Sequence, residues 1–255
     1  MDRVVDYDAL AETYDRRYER NDYGPLLRLL LDFVRGGRRV LDTGCGSGHW
    51  LRELAAKGYA VVGLDRSDGM LRTAKRKSRQ PSLVQAHAEA IPCQQASFDR
   101  VFCINAFHHF VDQRAFLVEA HRVLCPGGGI MIVGLDPHTG LDRWWIYDCF
   151  PQVIGIDKRR YPSTGQIRSL MAGYGFMRTN TVEALHVPLQ MPARLALETG
   201  QLARSTTSQL AVLTDEEYEE GIRQLKRDMA DSEAQHETLT IEADLRLYAT
   251  TAWVP

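Results

Sequence analysis

Three glycines at alternate positions, Gly44, Gly46 and Gly48, have the clearest chemical potential in this chain of 255 residues. They follow a short apolar run that ends at Asp42, where a buried strand is expected to meet a helix starting near His49. Glycine lets the backbone pass close to a ligand, and a helix N-terminus offers free N–H groups to an anion. Alone, this pattern fits either a ligand-binding loop or an ordinary tight turn.

An acidic residue, Asp65, ends the next short apolar run. A carboxylate at the end of the second strand of an α/β sheet can accept hydrogen bonds from both hydroxyls of a ribose. The glycine spacing departs from the dinucleotide pattern, because His49 stands where the last glycine of that pattern is expected. The loop and Asp65 together still indicate a ligand that contains a ribose.

Two adjacent histidines, His108 and His109, follow an apolar run at 98–104 that is expected to be a strand. Open parallel sheets bind ligands at the carboxyl ends of their strands. Imidazole titrates near neutral pH, so either histidine can act as a general base toward a protonated nucleophile. In the alternative, one histidine bonds the backbone and the other is partly exposed.

Aromatic residues are concentrated after the fifth expected strand, and Trp144, Trp145 and Tyr147 are among them. They can form one wall of a substrate pocket, opposite Tyr14 and Tyr18 of the first helix, with His109 beside the acceptor. An aromatic-lined pocket suits a planar or apolar acceptor, or a cation held over the ring faces. The alternative is that these rings hold a helical cap on the core.

A basic run, Lys158, Arg159 and Arg160, follows the aromatic residues. Its cations can bind the carboxylate or phosphate of an acceptor. A solvated surface is the more common role of such a run.

Strands and helices alternate up to about residue 135. This alternation predicts βαβ units and a mostly parallel sheet with helices on both faces. Beyond residue 136 we expect a helix from Ser163 to Gly173, a strand at 176–187, helices at 189–212 and 215–231, and a last strand at 241–254.

Five segments together resemble the class I S-adenosylmethionine (SAM)-dependent methyltransferases, in particular the type 11-like subgroup that acts on small molecules. They are VLDTGCGSGHW, VVGLDRSDGML, AEAIP, SFDRVF and RVLCPGGGIMI, within roughly residues 38–135. The resemblance implies an α/β class fold: a doubly wound, Rossmann-like, seven-stranded and mostly parallel sheet. It further implies one domain, 1–255, with an N-terminal helical lid (1–36), a SAM-binding core (37–188), a helical cap insertion (189–240) and the last strand (241–255).

The resemblance also implies how SAM is held. The glycine loop would contact the methionine part, Asp42 its ammonium group and Asp65 the ribose. Met70, Ala88 and Glu89 would lie along the adenine. The complete expected set is Tyr14, Asp42, Gly44, Cys45, Gly46, Gly48, Asp65, Arg66, Met70, Ala88, Glu89, Asn105 and Ala106.

One position departs from the family pattern. Members often have Gly-Asp-Ala-Glu where this chain has Ala86, His87, Ala88 and Glu89. Adenine recognition would then rest on main-chain groups or on neutral His87. The same segment partly resembles a zinc deaminase signature, but the second cysteine of that signature is missing, so no metal is expected.

Composition excludes several other classes. The formal net charge of −2 argues against a dedicated nucleic-acid binder, and 44% hydrophobic residues argue against disorder. No apolar run is long enough for a transmembrane helix, and no signal peptide is apparent. Five scattered cysteines indicate free thiols in a cytoplasmic protein.

The sequence therefore predicts a cytoplasmic SAM-dependent methyltransferase that acts on a small organic molecule. An oxygen or nitrogen acceptor is favoured over carbon or sulfur. Two alternatives remain: an RNA or protein methyltransferase, and a non-catalytic SAM-binding regulatory subunit. Strand four is not followed by the (Asn/Asp)-Pro-Pro-aromatic motif of amine methylation on nucleic acids. The identity of the acceptor and the choice between monomer and homodimer stay open.

Overall fold

The structure, a computed structural model, describes residues 7–11, 15, 18, 21–78 and 81–255. Its sheet contains eight strands in the order β3-β2-β1-β4-β5-β8-β6, with β7 paired to β8. The strands are β1 (Arg39–Thr43), β2 (Ala60–Asp65), β3 (Ser82–Gln85), β4 (Phe98–Ile104), β5 (Leu124–Leu135), β6 (Arg143–Trp144), β7 (Met177–Pro192) and β8 (Thr240–Trp253).

The first five strands run parallel, and β8 is antiparallel to β5, β6 and β7. The doubly wound, mostly parallel sheet is therefore confirmed, with the two-residue strand β6 in addition to the seven strands expected. The chain order changes direction between β1 and β4, where β2 leads to one side and β5 to the other. Open sheets bind their ligands at such a switch point.

Helices cover both faces of this sheet. They are α1 (Tyr7–Leu10), α2 (Gly24–Val34), α3 (His49–Ala55), α4 (Asp68–Lys77), α5 (Gln113–Val123), α6 (Trp145–Cys149), α7 (Gln152–Arg160), α8 (Thr164–Gly173), α9 (Ala193–Glu198), α10 (Ser208–Ala211) and α11 (Asp215–Ala234). Val40 packs with the helices α2 and α3, while its neighbour Leu41 packs with α5 and α8 on the other face. This explains why successive residues of the central strands β1 and β4 are mostly buried, whichever face they point to.

The helix starts follow the side-chain signals in the sequence. Ser67 caps α4 by accepting a hydrogen bond from the backbone N–H of Met70. Ser163 and Gln166 form a capping box at the start of α8, as do Thr214 and Glu217 at the start of α11.

The segment before the last strand differs from the prediction in its details. A helix was expected from residue 189, but β7 continues to Pro192, because Leu189–Pro192 pairs with Thr240–Ala243 of β8. The helices α9, α10 and α11 follow and form the expected cap. Their apolar side chains share one core with α6 and α7, which pack around Phe150 and Val153. The cap is thus built from two separate stretches of the chain.

None of the described helices has both the length and the apolar character needed to cross a membrane. All five cysteines are unpaired.

Gly63 in β2 provides a test of how closely this core is packed. A Cβ atom at Gly63 would lie 2.4 Å from Cδ1 of Leu51 and 2.9 Å from Sγ of Cys45. We expect Gly63→Ala to lower the free energy of unfolding by ~1–3 kcal/mol, measured by urea denaturation. Gly134→Ala in β5 is the control, because a Cβ there meets no atom within 4 Å. Equal effects of the two substitutions would contradict this account.

Candidate functional site

The glycine loop is anchored to the end of β2. The backbone N–H groups of Gly44 and Cys45 both donate to the carbonyl oxygen of Leu64, at 2.7 and 3.0 Å. Gly44 has a φ of +72°, and a Cβ atom on it would lie 2.4 Å from Cβ of Ala106. Only glycine therefore allows this loop to approach the residues after β4 so closely.

The other loop residues divide between the pocket and its support. Gly46 lines the pocket, and its N–H donates to Asp65. Gly48 caps α3 with a φ of +79°, and a Cβ there would lie 2.9 Å from Cβ of Ala74 in α4. The Cys45 thiol is buried beneath the loop, and burial raises its pKa well above the usual range. Gly48 and Cys45 thus support the loop from behind.

Two carboxyl groups meet at the carboxyl ends of β1 and β2. Asp42 is 1% exposed, and its Oδ2 atom has no hydrogen-bond partner among the described residues. Burial and the nearby charge of Asp65 raise the pKa of Asp42 well above its usual range. Burial also raises the pKa of Asp65, although the backbone N–H groups of Ser67 and Gly46 donate to its two oxygens and oppose the increase. The ionised forms of both groups therefore need a cation or further donors.

A pocket opens beside these carboxyl groups. Most of the expected cofactor residues line it, namely Gly44, Gly46, Asp65, Arg66, Met70, Ala88, Glu89, Asn105 and Ala106. Asp42, Cys45 and Gly48 lie behind its wall, and Tyr14 lies outside the described residues. Sequence reasoning did not assign Tyr7, Phe110 and Val111 to the pocket, although they line it as well. Tyr7 stands seven residues, or about two helical turns, before Tyr14, and this spacing could have identified it, whereas no signal marked Val111.

The residues along the far wall have structural roles too. Oε1 of Glu89 accepts hydrogen bonds from the N–H groups of Val111 at 2.7 Å and Asp112 at 3.2 Å. Asn105 has a φ of +54°, a conformation that asparagine tolerates better than most residues. The His87 side chain is 65% exposed at the pocket edge, 3.9 Å from Glu89.

Helix α1 covers this pocket as a lid, since its Tyr7 lines the pocket. The hydroxyl of Tyr7 is hydrogen-bonded to Nε2 of His109. Asp8 accepts hydrogen bonds from Oγ of Ser67 at 2.5 Å and from N of Gly69 at 2.8 Å, and these bonds lower its pKa. Asp8 therefore fixes the lid at the N-terminus of α4.

A larger cleft of about 1580 Å3 adjoins the pocket. The two cavities share Arg66, His109, Phe110 and Val111. These four residues form the junction between them. A small molecule in the cleft can therefore reach a group bound in the pocket at this junction.

The two histidines differ in their surroundings. His108 lines the cleft and not the pocket. Its ring stacks on that of Tyr161, with centroids 3.7 Å apart. Nδ1 of His109 lies 3.4 Å from Nη2 of Arg160. A guanidinium can only donate, so Nδ1 of His109 is the acceptor. The proton of the neutral ring then lies on Nε2, facing the Tyr7 hydroxyl.

A buried network from the cap holds Arg160. Nη1 of Arg160 lies 3.6 Å from Oδ1 of Asp157, and the Tyr147 hydroxyl donates to Oδ2 of Asp157 at 3.0 Å. Asp157 is fully buried. Burial raises the pKa of Asp157 to about 6, although the charge of Arg160 and the hydrogen bonds from Gln209 and Tyr147 act to lower it.

Most of the aromatic residues expected to line a substrate pocket pack elsewhere in the structure. Trp144 and Trp145 are buried in the apolar core of the cap. They are not among the described residues that line either cavity. Tyr147 is linked to the cleft through Asp157 and Arg160. The ring of Tyr18 stacks on that of His49, with centroids 3.7 Å apart. This arrangement matches the alternative role, in which the rings hold the cap together.

In the part of the chain that the structure describes, no group of three or more His, Cys, Asp or Glu side chains is arranged to hold a metal ion.

Comparisons with known proteins agree with this fold. A family described as a methyltransferase domain matches residues 41–132. The chain is 31% identical over 201 residues to demethylmenaquinone methyltransferase from Thermus thermophilus, covering 74% of this chain and 89% of that one. It is 35% identical over 115 residues to phthiotriol/phenolphthiotriol dimycocerosates methyltransferase from Mycobacterium tuberculosis, covering 43% of this chain and 42% of that one.

A solved structure shares the fold. Phosphoethanolamine N-methyltransferase 2 from Haemonchus contortus, in complex with S-adenosyl-L-methionine, has a TM-score of 0.58 and 21% identity, covering 91% of this chain and 52% of that one. The fold and the site thus define a class I methyltransferase architecture. The similarity to the Thermus protein over most of both chains shows that this chain belongs to the class I SAM-dependent methyltransferase family.

The raised pKa of Asp157 predicts a pH-dependent stability. The folded protein binds the proton more tightly than the unfolded chain, so stability falls as the pH rises from about 4 through about 6. One pKa unit corresponds to about 1.4 kcal/mol. The unfolding free energy of wild type minus that of Asp157→Asn should therefore fall by ~2–2.5 kcal/mol between pH 4 and pH 7.5, measured with urea at each pH.

Asp231→Asn is the matched control, because it removes an exposed carboxylate from α11. Its unfolding free energy should keep the wild-type pH dependence. A constant difference between wild type and Asp157→Asn over this range would show that Asp157 does not change protonation there.

Proposed function

We propose that this protein transfers the methyl group of SAM to an oxygen or nitrogen atom of a small organic molecule in the cytoplasm. The observation that carries the proposal is the carboxyl pair of buried Asp42 and half-buried Asp65, beside a pocket that opens into a cleft at His109. The pocket suits a cationic nucleoside, and the cleft suits its reaction partner.

The residues of the pocket fit SAM. The unpaired Oδ2 of Asp42 is a buried acceptor that an ammonium group can compensate, directly or through water. Asp65 retains lone pairs for the ribose hydroxyls beyond its two backbone contacts. Met70, 1% exposed, and Ala88 supply apolar contacts for the adenine.

Bound SAM supplies a methyl group that is already activated on a sulfonium. The task left to the protein is to align the acceptor and to exclude water. Tyr7 of the lid covers the junction, where its hydroxyl is hydrogen-bonded to His109. Phe110 and Val111 give the junction an apolar surface.

The relatives and the cap favour a small acceptor. The two relatives compared by sequence are named for phthiotriol dimycocerosates and for demethylmenaquinone, which are small organic molecules. Helices α7, α8 and α11 contribute residues to the cleft, so a small molecule bound there would contact the cap as well as the core.

His109 is the histidine best placed to touch the acceptor, because it lines both cavities. With Nδ1 accepting from Arg160 and Nε2 facing Tyr7, it presents no free lone pair. We propose that His109 positions the Tyr7 hydroxyl and the Arg160 guanidinium beside the acceptor, with His108 forming the adjacent cleft wall.

Asp65 provides the first test. We expect Asp65→Ala to weaken binding of SAM and of S-adenosylhomocysteine (SAH) at least tenfold, measured by calorimetry. Loss of the hydrogen bonds to a ribose diol should cost ~1.4 kcal/mol or more. Asp65→Asn, which keeps one acceptor oxygen, should give a smaller loss.

Asp32→Ala is the control for this measurement, since Asp32 is an exposed carboxylate on α2. Its affinity should equal that of wild type, and thermal unfolding should confirm that each variant is folded. If wild type binds neither SAM nor SAH, the proposed function is wrong.

His109 provides the second test. Glutamine can accept from Arg160 and donate to Tyr7, so His109→Gln should retain more than about a tenth of the rate of methyl transfer, with an unchanged pH profile. His109→Ala removes both contacts and should lose more. A general base typically contributes 10²–10⁴-fold. An equal loss of 100-fold or more in both variants would instead assign the proton transfer to His109. His186→Gln, on the outer strand β7, is the control.

A further inference from the structure

We infer that the methyl acceptor combines an apolar body with an anionic group, either a carboxylate or a phosphate. This inference rests on the proposed function, since it concerns the cleft in which the acceptor would lie. It is carried by the charges and contacts of the side chains that line this cleft of about 1580 Å3.

Positive charge exceeds negative charge along the cleft. Among its described lining residues, the cations are Arg66, Arg114, Arg159 and Arg160, and the carboxylates are Asp112 and Glu217. The whole chain has a formal net charge of −2, so the excess is local and opposite in sign. A cavity lined by one sign of charge attracts ligands of the opposite sign.

Both carboxylates are already engaged by helix starts. Oδ1 of Asp112 accepts hydrogen bonds from the N–H groups of Arg114 at 2.9 Å and Ala115 at 3.0 Å, which caps α5. Oε2 of Glu217 accepts from the N–H of Thr214 at 2.8 Å in the capping box of α11. Asp112 forms no ion pair with an arginine of the cleft within the described part of the chain.

The guanidinium groups of the cleft are, by contrast, open to a ligand. Arg114 and Arg159 are exposed and have no carboxylate within 4.0 Å among the residues that the structure describes. Arg160 is only 14% exposed, and its single ion pair within that part of the chain, with Asp157, is 3.6 Å long. That distance exceeds a good charge-assisted hydrogen bond. Arg160 is thus held in place by Asp157 without full compensation.

The apolar part of the site lies at the junction with the pocket. Val111 is 83% exposed although it is a large apolar residue, and Phe110 lies beside it. Ile156, Pro162 and Leu170 continue this surface into the cleft. An acceptor that spans these residues would lie with its apolar body near the point of transfer and its anion toward the arginines.

The test uses three aromatic probes of similar size on the full chain, with and without saturating SAH. Benzoate carries a carboxylate, phenyl phosphate carries a phosphate, and benzyl alcohol is the neutral match. Calorimetric titration should show that at least one anion binds about tenfold more tightly than the alcohol. The stronger of the two anions identifies the group that the cleft selects.

Substitutions of the cleft arginines test whether the anion binds in the cleft. Arg159→Gln and Arg114→Gln should each weaken binding of the anion about tenfold, and both side chains are exposed, so folding should be unaffected. Arg168→Gln, an exposed arginine of α8 outside the cleft lining, should leave binding unchanged.

Equal binding of all three probes, no binding by any of them, or anion binding that neither Arg114→Gln nor Arg159→Gln weakens would overturn the inference. A chain that fails to bind SAH, yet binds an anion through these arginines, would refute the proposed function and leave the anion site supported.

Discussion

The pairing of a buried and a half-buried carboxyl group at the ends of neighbouring strands is the constraint on which the rest of the site depends. Asp42 is almost fully buried, one of its oxygens has no hydrogen-bond partner among the described residues, and the charge of Asp65 adds to the effect of burial on its pKa. Such an arrangement disfavours the ionised state of the empty site. A ligand that brings a cation and hydroxyl donors offsets the cost of ionising Asp42 and Asp65. Much of its binding free energy therefore arises at the carboxyl ends of β1 and β2, beside the point where the strand order changes direction. The glycine loop is the geometric counterpart, because Gly44 brings the backbone against Ala106 without a side chain between them.

Two parts of the chain that are distant in sequence converge on the edge of that pocket. The lid reaches His109 through Tyr7, and the cap reaches the same ring through Arg160. Each contact occupies one ring nitrogen, so closing the lid and packing the cap together determine where the proton of His109 lies. The junction between the pocket and the cleft is therefore defined by tertiary contacts of both elements and by no single loop.

The core could be predicted from sequence because its signals are local. The apolar runs, the glycines and the caps at Ser67, Ser163 and Thr214 each fix a backbone feature within a few residues, and the parallel sheet follows from their order. The sequence signals for the structure of the cap were weaker than those for the core. Residues after Leu189 pair with β8 where a helix was expected, since strand pairing is a long-range contact that helical periodicity does not reveal. Trp144 and Trp145 offered two roles, and their burial depends on helices α9 and α11, which lie far along the chain.

The basic run shows why side-chain roles in a cap are hard to read from spacing. Adjacent residues of α7 face different surroundings: Arg159 is exposed at the cleft, whereas Arg160 is mostly buried between Asp157 and His109. A surface helix would leave both arginines solvated, but Asp157 lies one turn before Arg160 and Tyr147 donates to it from α6, so the guanidinium is drawn inward. The same buried carboxylate that costs free energy at neutral pH thereby positions a cation next to His109. Enzymes that share this sheet and loop can differ in their acceptors through contacts of this kind, because the cap changes the charge of the cleft without altering the cofactor pocket.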